Sequence, residues 1–329
     1  MTGQVVQSML LKAAIAASLV AGASVFGQAH ADWPNDKPIE VVVGFAAGGG
    51  TDVMARKLSA AMERHFDNKA KFIVLNRPGA SGEIAVTSIM RAQPDGSTIG
   101  VVNVPGYIFL PMMKATQYKT EEIRLVARVV DDPTVVVVRA DSKLNDLKAL
   151  VDALRAAPSS ITVGHNGVGT NGHLALRMLA QVANVNANEV AYRGTAAQKT
   201  DLLGGHLMVA LVSVGEVPEL HGSNKGELKV IAQLSRVRSP ALQMVPTAEE
   251  GGFPVFMSSE RGFAVPKDVP DAVVQKLEKA ISDSLKDEEY LKNSPGDAPV
   301  ISFMPGKEWK LRLDDLAQKL RPIAESVAK

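Results

Sequence analysis

The chain has no cysteine and almost no net charge, its 329 residues carrying 36 Lys and Arg against 35 Asp and Glu. The first absence excludes disulfide scaffolds, thiolate zinc sites, iron–sulfur clusters and cysteine nucleophiles together. The second argues against dedicated nucleic-acid or anionic-membrane binding, both of which draw on concentrated Lys and Arg. After the first 31 residues no stretch approaches the roughly 18 apolar residues that a membrane span requires, so a soluble chain is expected. What is present is a hydrophobic fraction of 46%, enough for a large core, and a length that suggests roughly two domains.

Residues 1–31 read as a secretory signal peptide. Lys12 is the one Lys, Arg, Asp or Glu in them, the apolar stretch from Ala13 to Phe26 is too short to cross a membrane, and Ala29-His30-Ala31 is an A-x-A cleavage site. The mature chain is expected to begin at Asp32, to be exported, and to balance at 35 basic against 35 acidic residues once Lys12 is gone.

From Asp32 onward strand-like and helix-like patterns alternate, as α/β architecture with mainly parallel sheets requires. Ile39 to Phe45 is a β-rich run, and Met54, Leu58, Ala61 and Met62 then recur at helical spacing. Phe72 to Leu75 is a second strand, followed by a helix towards Arg91, and Ile99 to Val102 is a third strand. Val135 to Val138 reads as a buried central strand. The second half repeats the scheme: Ile161 to His165 is a strand, and Leu174, Ala175, Met178, Leu179 and Val182 form the apolar stripe of a helix. Further strands are expected at Glu189 to Tyr192, Leu207 to Val212 and Val230 to Leu234. Helices are expected near Ala196 to Leu203, Asp271 to Leu285 and Lys307 to Val327. No low-complexity linker separates the halves, so short crossing strands should join them.

Two glycine turns carry the chemistry. Gly44-x-x-x-x-Gly49-Gly50-Thr51 approaches P-loop spacing, but Gly50 stands where the lysine is needed for the nucleotide phosphates. Gly167-Val168-Gly169-Thr170-Asn171-Gly172 is a formal G-x-G-x-x-G, yet the acid that should close the second strand is missing, since Glu189 precedes its strand. No nucleotide or other cofactor is therefore expected. Common to both turns are backbone N–H groups at a helix N-terminus, which bind an anion without a lysine or arginine. Two such cradles facing across a cleft would clamp a small carboxylate from both sides. Thr51 and Thr170 either donate hydroxyls to the ligand or cap their helices, and Asp52 falls in a first helical turn, where negative charge is favoured. Valine at Gly50 or Gly169 is expected to cover the donors and abolish binding.

Catalytic and metal constellations are missing from the pattern. His165, His173, His206 and His221 lack the i, i+4 pairing of a helical zinc site, and no H-E-x-x-H or G-x-S-x-G occurs. His173 lies off the apolar stripe of its helix and either faces the cleft or has a helix-surface or capping role. No metal and no catalysis are expected.

At this level of detail the chain resembles a known family. Trp33-Pro34-Asn35-Asp36-Lys37-Pro38-Ile39, Gly44 to Asp52, Asn76-Arg77-Pro78-Gly79-Ala80-Ser81-Gly82, Gly167 to Leu174, Ala191-Tyr192-Arg193-Gly194, Leu202-Leu203-Gly204-Gly205 and Val245 to Gly251 are similar, in order and spacing, to motifs of the Bug/TctC family. That family comprises the substrate-binding proteins of tripartite tricarboxylate transporters. The resemblance implies a two-lobed periplasmic binding protein of type II-like architecture. Each lobe would be a mainly parallel sheet flanked by helices, and the ligand cleft would lie between them. Lobe 1 would comprise residues 32–133 and about 235–329, and lobe 2 residues 134–234. Carried over by motif, the ligand would be held by Ala47, Gly48, Gly49, Gly50 and Thr51 in one lobe and by Gly167, Gly169 and Thr170 in the other. Ser81 and the turn formed by Tyr192, Arg193 and Gly194 would lie nearby.

The implied partners are a small carboxylate and membrane transporter subunits, with no nucleic acid, and the implied state is a monomer. Departures from the family pattern are Met208 for its aspartate, Arg261 for its tryptophan, Ala191 for its proline and Glu83 for its asparagine. Arg261 either pairs with a second ligand carboxylate or is a solvated surface arginine. An exported α/β enzyme acting on a small carboxylate, and an orphan binding protein feeding a sensor, stand as alternatives.

Overall fold

The computed structural model describes residues 33–34, 37–66, 69–157, 160–222 and 226–327. The expected signal peptide and its cleavage site lie outside the described residues.

Both strand–glycine turn–helix units form as their periodicities require. The apolar run of β1 (Ile39–Val43) leads into α1 (Gly50–Arg64), whose Met54, Leu58, Ala61 and Met62 are all buried. Burying each of the larger of these side chains stabilises the fold by about 1.5–3 kcal/mol. In the second half β5 (Thr162–His165) leads into α5 (Asn171–Ala183), which buries Leu174, Ala175, Leu176 and Leu179, while Val182 of the expected stripe is exposed. β2 (Phe72–Asn76) and β3 (Thr98–Val104) pair parallel with β1; β6 (Asn188–Ala191) and β7 (Val209–Ser213) pair parallel with β5. The parallel strands expected are therefore present in each half.

The middle of the sheet is antiparallel. β4 (Ile123–Arg139) is 17 residues long, four times the valine run that announced it, and β9 (Ser258–Pro266) lies between it and β3. The sheet runs β2-β1-β3-β9-β4-β7-β5-β6, with β8 (Leu228–Gln233) and β10 (Ile301–Pro305) also pairing with β4. β4 exchanges partners part-way along. Ile123 to Pro133 pair with β9, whereas Thr134 to Val138 pair with β7. One uninterrupted strand thus serves both lobes, and the connection is a long strand rather than a short one.

Helices cover both faces of this mixed sheet. α1 packs with α7 (Asp271–Ser284) and α8 (Glu288–Asn293). α2 (Glu83–Met90), α3 (Gly106–Met113) and α9 (Gly306–Val327) enclose a core of Ile89, Phe109, Tyr118 and Trp309. In the second half α4 (Leu147–Ala156), capped by the Asp146 carboxylate on the Ala149 amide at 2.7 Å, packs with α5; α6 (Thr195–Leu203) packs against β4, β5 and β7. No described helix is long and apolar enough to cross a membrane.

Candidate ligand-binding site

Four helices begin at one small cavity between the lobes. Gly50 of α1 and Gly106 of α3 line it from the first lobe, Asn171 of α5 and Thr195 of α6 from the second. The first N–H groups of a helix have no partner within it, and aligned peptide dipoles place about half a positive charge at that end. Two of these ends, at Gly50 and after Thr170, were legible in the glycine turns. The ends at Gly106 and Thr195 were not.

Neutral polar side chains complete the wall, and the same device operates in each lobe. Asn103 Nδ2 donates to Thr51 Oγ1 at 2.9 Å, and Asn166 Nδ2 donates to Thr195 Oγ1 at 2.9 Å. A hydroxyl that accepts from an amide keeps its own proton for another acceptor, so both threonines are oriented to donate to an anion. Asn171 Nδ2 donates to Thr134 Oγ1 at 2.8 Å and Ser213 Oγ at 3.2 Å, tying α5 to β4 and β7 beneath the cavity. Among the described residues no basic side chain lines the inner cavity, and Glu216 is the one charged residue in its wall.

The cavity measures about 20 Å³, room for about one water molecule. It opens past Gly49, Gly50, Thr195 and Glu216 into an outer cleft of about 420 Å³, rimmed by Lys57, Lys199 and Glu219. The lobes touch across it: the Ala46 amide donates to the Arg193 carbonyl at 3.3 Å. A Cβ on Gly167, whose φ is +110°, would lie 2.5 Å from Ser81 Oγ.

Of the residues singled out from sequence, Gly49, Gly50, Thr51, Ser81, Thr170 and Gly194 meet at this cavity. The others stand behind it or outside it. Ala47 and Gly48 are exposed, and the Gly48 amide donates to Asp52 Oδ2 at 2.9 Å. Asp52 is buried and also accepts from Arg56 and Asn76, so it ties down the loop rather than facing the ligand. The Gly167 and Gly169 amides turn away from the cavity and donate to His165 Nδ1 at 3.1 Å and His173 Nδ1 at 3.2 Å. His173 is thus neither in the cleft nor on the helix surface: it is buried, its ring centroid 5.0 Å from that of His165, bracing the loop from below. Thr170 Oγ1 donates to the Gly167 carbonyl at 2.7 Å and caps nothing. Tyr192 directs its hydroxyl to Asp201 at 2.8 Å, and the Arg193 side chain is exposed, only its carbonyl reaching the other lobe.

Residues 54–297 match the tripartite tricarboxylate transporter family receptor, TctC. The chain belongs to the TctC family. BugT of Bordetella pertussis is 30% identical to this TctC protein over 296 residues, covering 88% of this chain and 89% of BugT. The solved periplasmic binding protein BugD superposes with a TM-score of 0.81 at 26% identity, covering 88% of this chain and 97% of BugD. The fold is shared with MatC of Rhodopseudomonas palustris with bound malate, at TM-score 0.77 and 23% identity, with 89% of this chain and 99% of MatC covered. It is shared too with the adipate-bound Rpa4515 of R. palustris, at TM-score 0.80 and 22% identity, with 89% and 98% covered. Family and fold are those of periplasmic solute-binding proteins, not of enzymes.

Behind the cavity floor this TctC protein buries a group of charges that neither reading of Arg261 anticipated. Arg261 is 1% exposed and in contact with Asp132, itself 0% exposed. Asp297 and Glu216 share the same guanidinium, and Tyr290 donates its hydroxyl to Asp297 at 3.2 Å. One arginine among three carboxylates leaves excess negative charge. Burial first, then Glu216 and Asp297, push Asp132 up to about 7, and burial likewise raises Asp297.

A pH dependence follows. Folded Asp132 holds a proton at pH values where the unfolded group, near 3.8, has lost it. Its contribution is complete below about pH 4 and disappears as pH rises through about 7. His165 and His173, pushed down to about 4 by burial, act in the opposite sense, contributing above 6.5 and losing that contribution as pH falls towards 4. From about pH 6.5 to 8 the loss at Asp132 and the gain at the two histidines oppose each other and nearly cancel. The melting temperature should change little across that interval, and Asp132→Asn, which leaves the histidines unopposed, should turn it into a rise; an unchanged profile in the variant would contradict the assignment.

Proposed function

We propose that this protein captures a small carboxylate between its two lobes, divided near 133/134 and 234, and presents it to the membrane subunits of a tripartite transporter. The observation that carries this reading is the convergence of four helix N-termini, two per lobe, on a cavity with no basic side chain. A carboxylate there accepts from unpaired amides near Gly50, Gly106, Asn171 and Thr195, with Thr51 and Ser81 adding hydroxyls. Malate in MatC and adipate in Rpa4515 support a carboxylate ligand on the same fold. With about 20 Å³ inside, the lobes must part to admit even a small acid and close again around it. The fit of both lobes to one small ligand favours a monomer as the working unit.

Thermal unfolding with a panel of mono-, di- and tricarboxylates and amino acids tests the reading. At a hundred times Kd a ligand stabilises the folded state by about 2.7 kcal/mol, which should raise the melting temperature by roughly 5–10 °C. The ligand should be recovered unchanged. Failure of every carboxylate to stabilise the protein at millimolar concentration, or conversion of the one that binds, would overturn it.

A further inference from the structure

The inner cavity has one feature that a plain carboxylate does not explain, the Glu216 side chain in its wall. Glu216 follows β7 and fixes its own position: Oε2 accepts the Ser213 amide at 3.0 Å. Oε1 faces the first residue of α1, 2.8 Å from where a Cβ on Gly50 would stand. A carboxylate of the protein is thus held against one of the helix ends that would receive the carboxylate of the ligand.

Its charge is only partly offset. Arg261 Nη1 lies 2.8 Å from the same Gly50 Cβ position, but that one guanidinium is in contact with Asp132 and faces Asp297 as well as Glu216, so one cation answers three carboxylates. Lys199 in the outer cleft is paired with Glu219 and reaches Glu216 only at its backbone carbonyl, 3.4 Å away. Every other side chain lining the inner cavity is neutral. A second ligand carboxylate placed here would meet a like charge in a cavity with almost no water, an arrangement that disfavours ionisation of one of the two. A protonated amine would instead form a charge-assisted hydrogen bond with Oε1.

We propose that Glu216 is a specificity-determining residue that selects a 2-amino acid: the carboxylate lies at the helix ends and the ammonium on the adjacent carbon donates to Glu216 Oε1. The spacing requires adjacency, because Oε1 sits beside Gly50, the start of the helix that receives the carboxylate. A hydroxyl in the same place donates a weaker, uncharged hydrogen bond, and a hydrogen donates none. The proposal rests on the carboxylate-binding reading and adds the second group of the ligand.

Matched sets of acids test it by calorimetry on the full mature protein, each set comprising an amino acid, its 2-hydroxy counterpart and its unsubstituted counterpart: alanine, lactate and propionate; aspartate, malate and succinate; and the corresponding sets for the other common side chains. In the set that binds, the amino acid should bind at least tenfold more tightly than the unsubstituted acid, with the hydroxy acid between. Glu216→Gln keeps an acceptor for the Ser213 amide and should reduce that preference at least tenfold while leaving the ligand-free melting temperature near the wild type. Equal or tighter binding of the unsubstituted acid by the wild type, or an unchanged preference in Glu216→Gln, overturns the role of Glu216 and leaves carboxylate capture standing. No binding by any member of any set overturns the role of Glu216, and carboxylate capture falls with it only if the wider carboxylate panel also fails to stabilise the protein.

Discussion

Gly50→Val should lose ligand binding by at least a hundredfold, about 2.7 kcal/mol on the scale where 1.4 kcal/mol is tenfold. The backbone at Gly50 is not left-handed, so the effect comes from contact rather than from torsional strain. A Cβ there would lie 2.6 Å from Glu216 Cγ and 2.8 Å from both Glu216 Oε1 and Arg261 Nη1. The two extra methyl groups of valine worsen each approach. Glu216 can retreat into the inner cavity, where it occupies the place of the ligand, or into the mouth of the outer cleft, where it obstructs entry; Arg261 can retreat only by leaving Asp132. Gly50→Ala should show the same loss at smaller size, roughly tenfold.

Two glycine variants make this specific. Gly48→Ala strains a backbone at φ +79° but meets nothing within 4 Å, so it should cost about 1–2 kcal/mol of stability with binding retained. Gly169→Val, read from sequence as another side chain over the donors, acts differently. Its φ is +80° and its Cβ would press on Phe109 and Leu110 of α3 at 3.2 and 3.3 Å, so the substitution wedges the lobes apart. Calorimetric titration of the four variants distinguishes the cases; normal affinity in Gly50→Val would place the ligand elsewhere.

Arg261→Met should be the most destabilising single change to a buried charge in this protein. Methionine fills much of the volume but leaves Asp132, Asp297 and Glu216 without their cation. Removing one partner of a buried pair typically costs about 3–5 kcal/mol, because the partner left behind keeps its desolvation penalty. At roughly 2–4 °C per kcal/mol for a chain of this size class, the melting temperature should fall by on the order of 10 °C. Replacing both partners, Arg261→Met with Asp132→Leu, should recover part of that loss, since it removes the penalty at Asp132 but not at Asp297 and Glu216. Thermal unfolding of the two singles and the double closes the cycle. A single variant that melts within about 2 °C of the wild type would show that the pair contributes little.

Arg261 also shows where sequence reading stops. β1, α1, β5 and α5 were legible because each buries one face against its immediate neighbours, and that leaves a period of two or of 3.6 in the chain. β9 leaves none. Its Ser258-Ser259-Glu260-Arg261-Gly262 reads as a polar loop, yet Glu260 and Arg261 are 2% and 1% exposed. Their compensation comes from far away. Asp132 contacts Arg261 from 129 positions off, and Arg128 and Trp309 donate to Glu260 from β4 and α9 at 3.0 and 2.9 Å. No local window contains those partners.

The site divides in the same way. A glycine turn before a helix marks a free N-terminus, which made Gly49 to Thr51 and Thr170 visible. Gly106 begins a helix that carries Pro111 inside it, a residue that argues against helix. Glu216, one polar residue after a strand, has no spacing that distinguishes a cavity wall from a surface turn. His165 and His173 lay within the right motif, but only the fold shows that their Nδ1 atoms take up the glycine amides credited to the ligand.

The uninterrupted β4 has a mechanical meaning. At about 3.3 Å per residue, seventeen residues make a rod of about 55 Å, clamped by hydrogen bonds in one lobe along its first part and in the other along its last. Its register slips against β9 between Leu125 and Ala127 and between Arg128 and Val130, and against β8 between Val136 and Val137, while its ladder to β7 is unbroken from Thr134 to Val138. A force applied to either lobe is therefore transmitted along covalent backbone, with compliant joints in both halves of the rod.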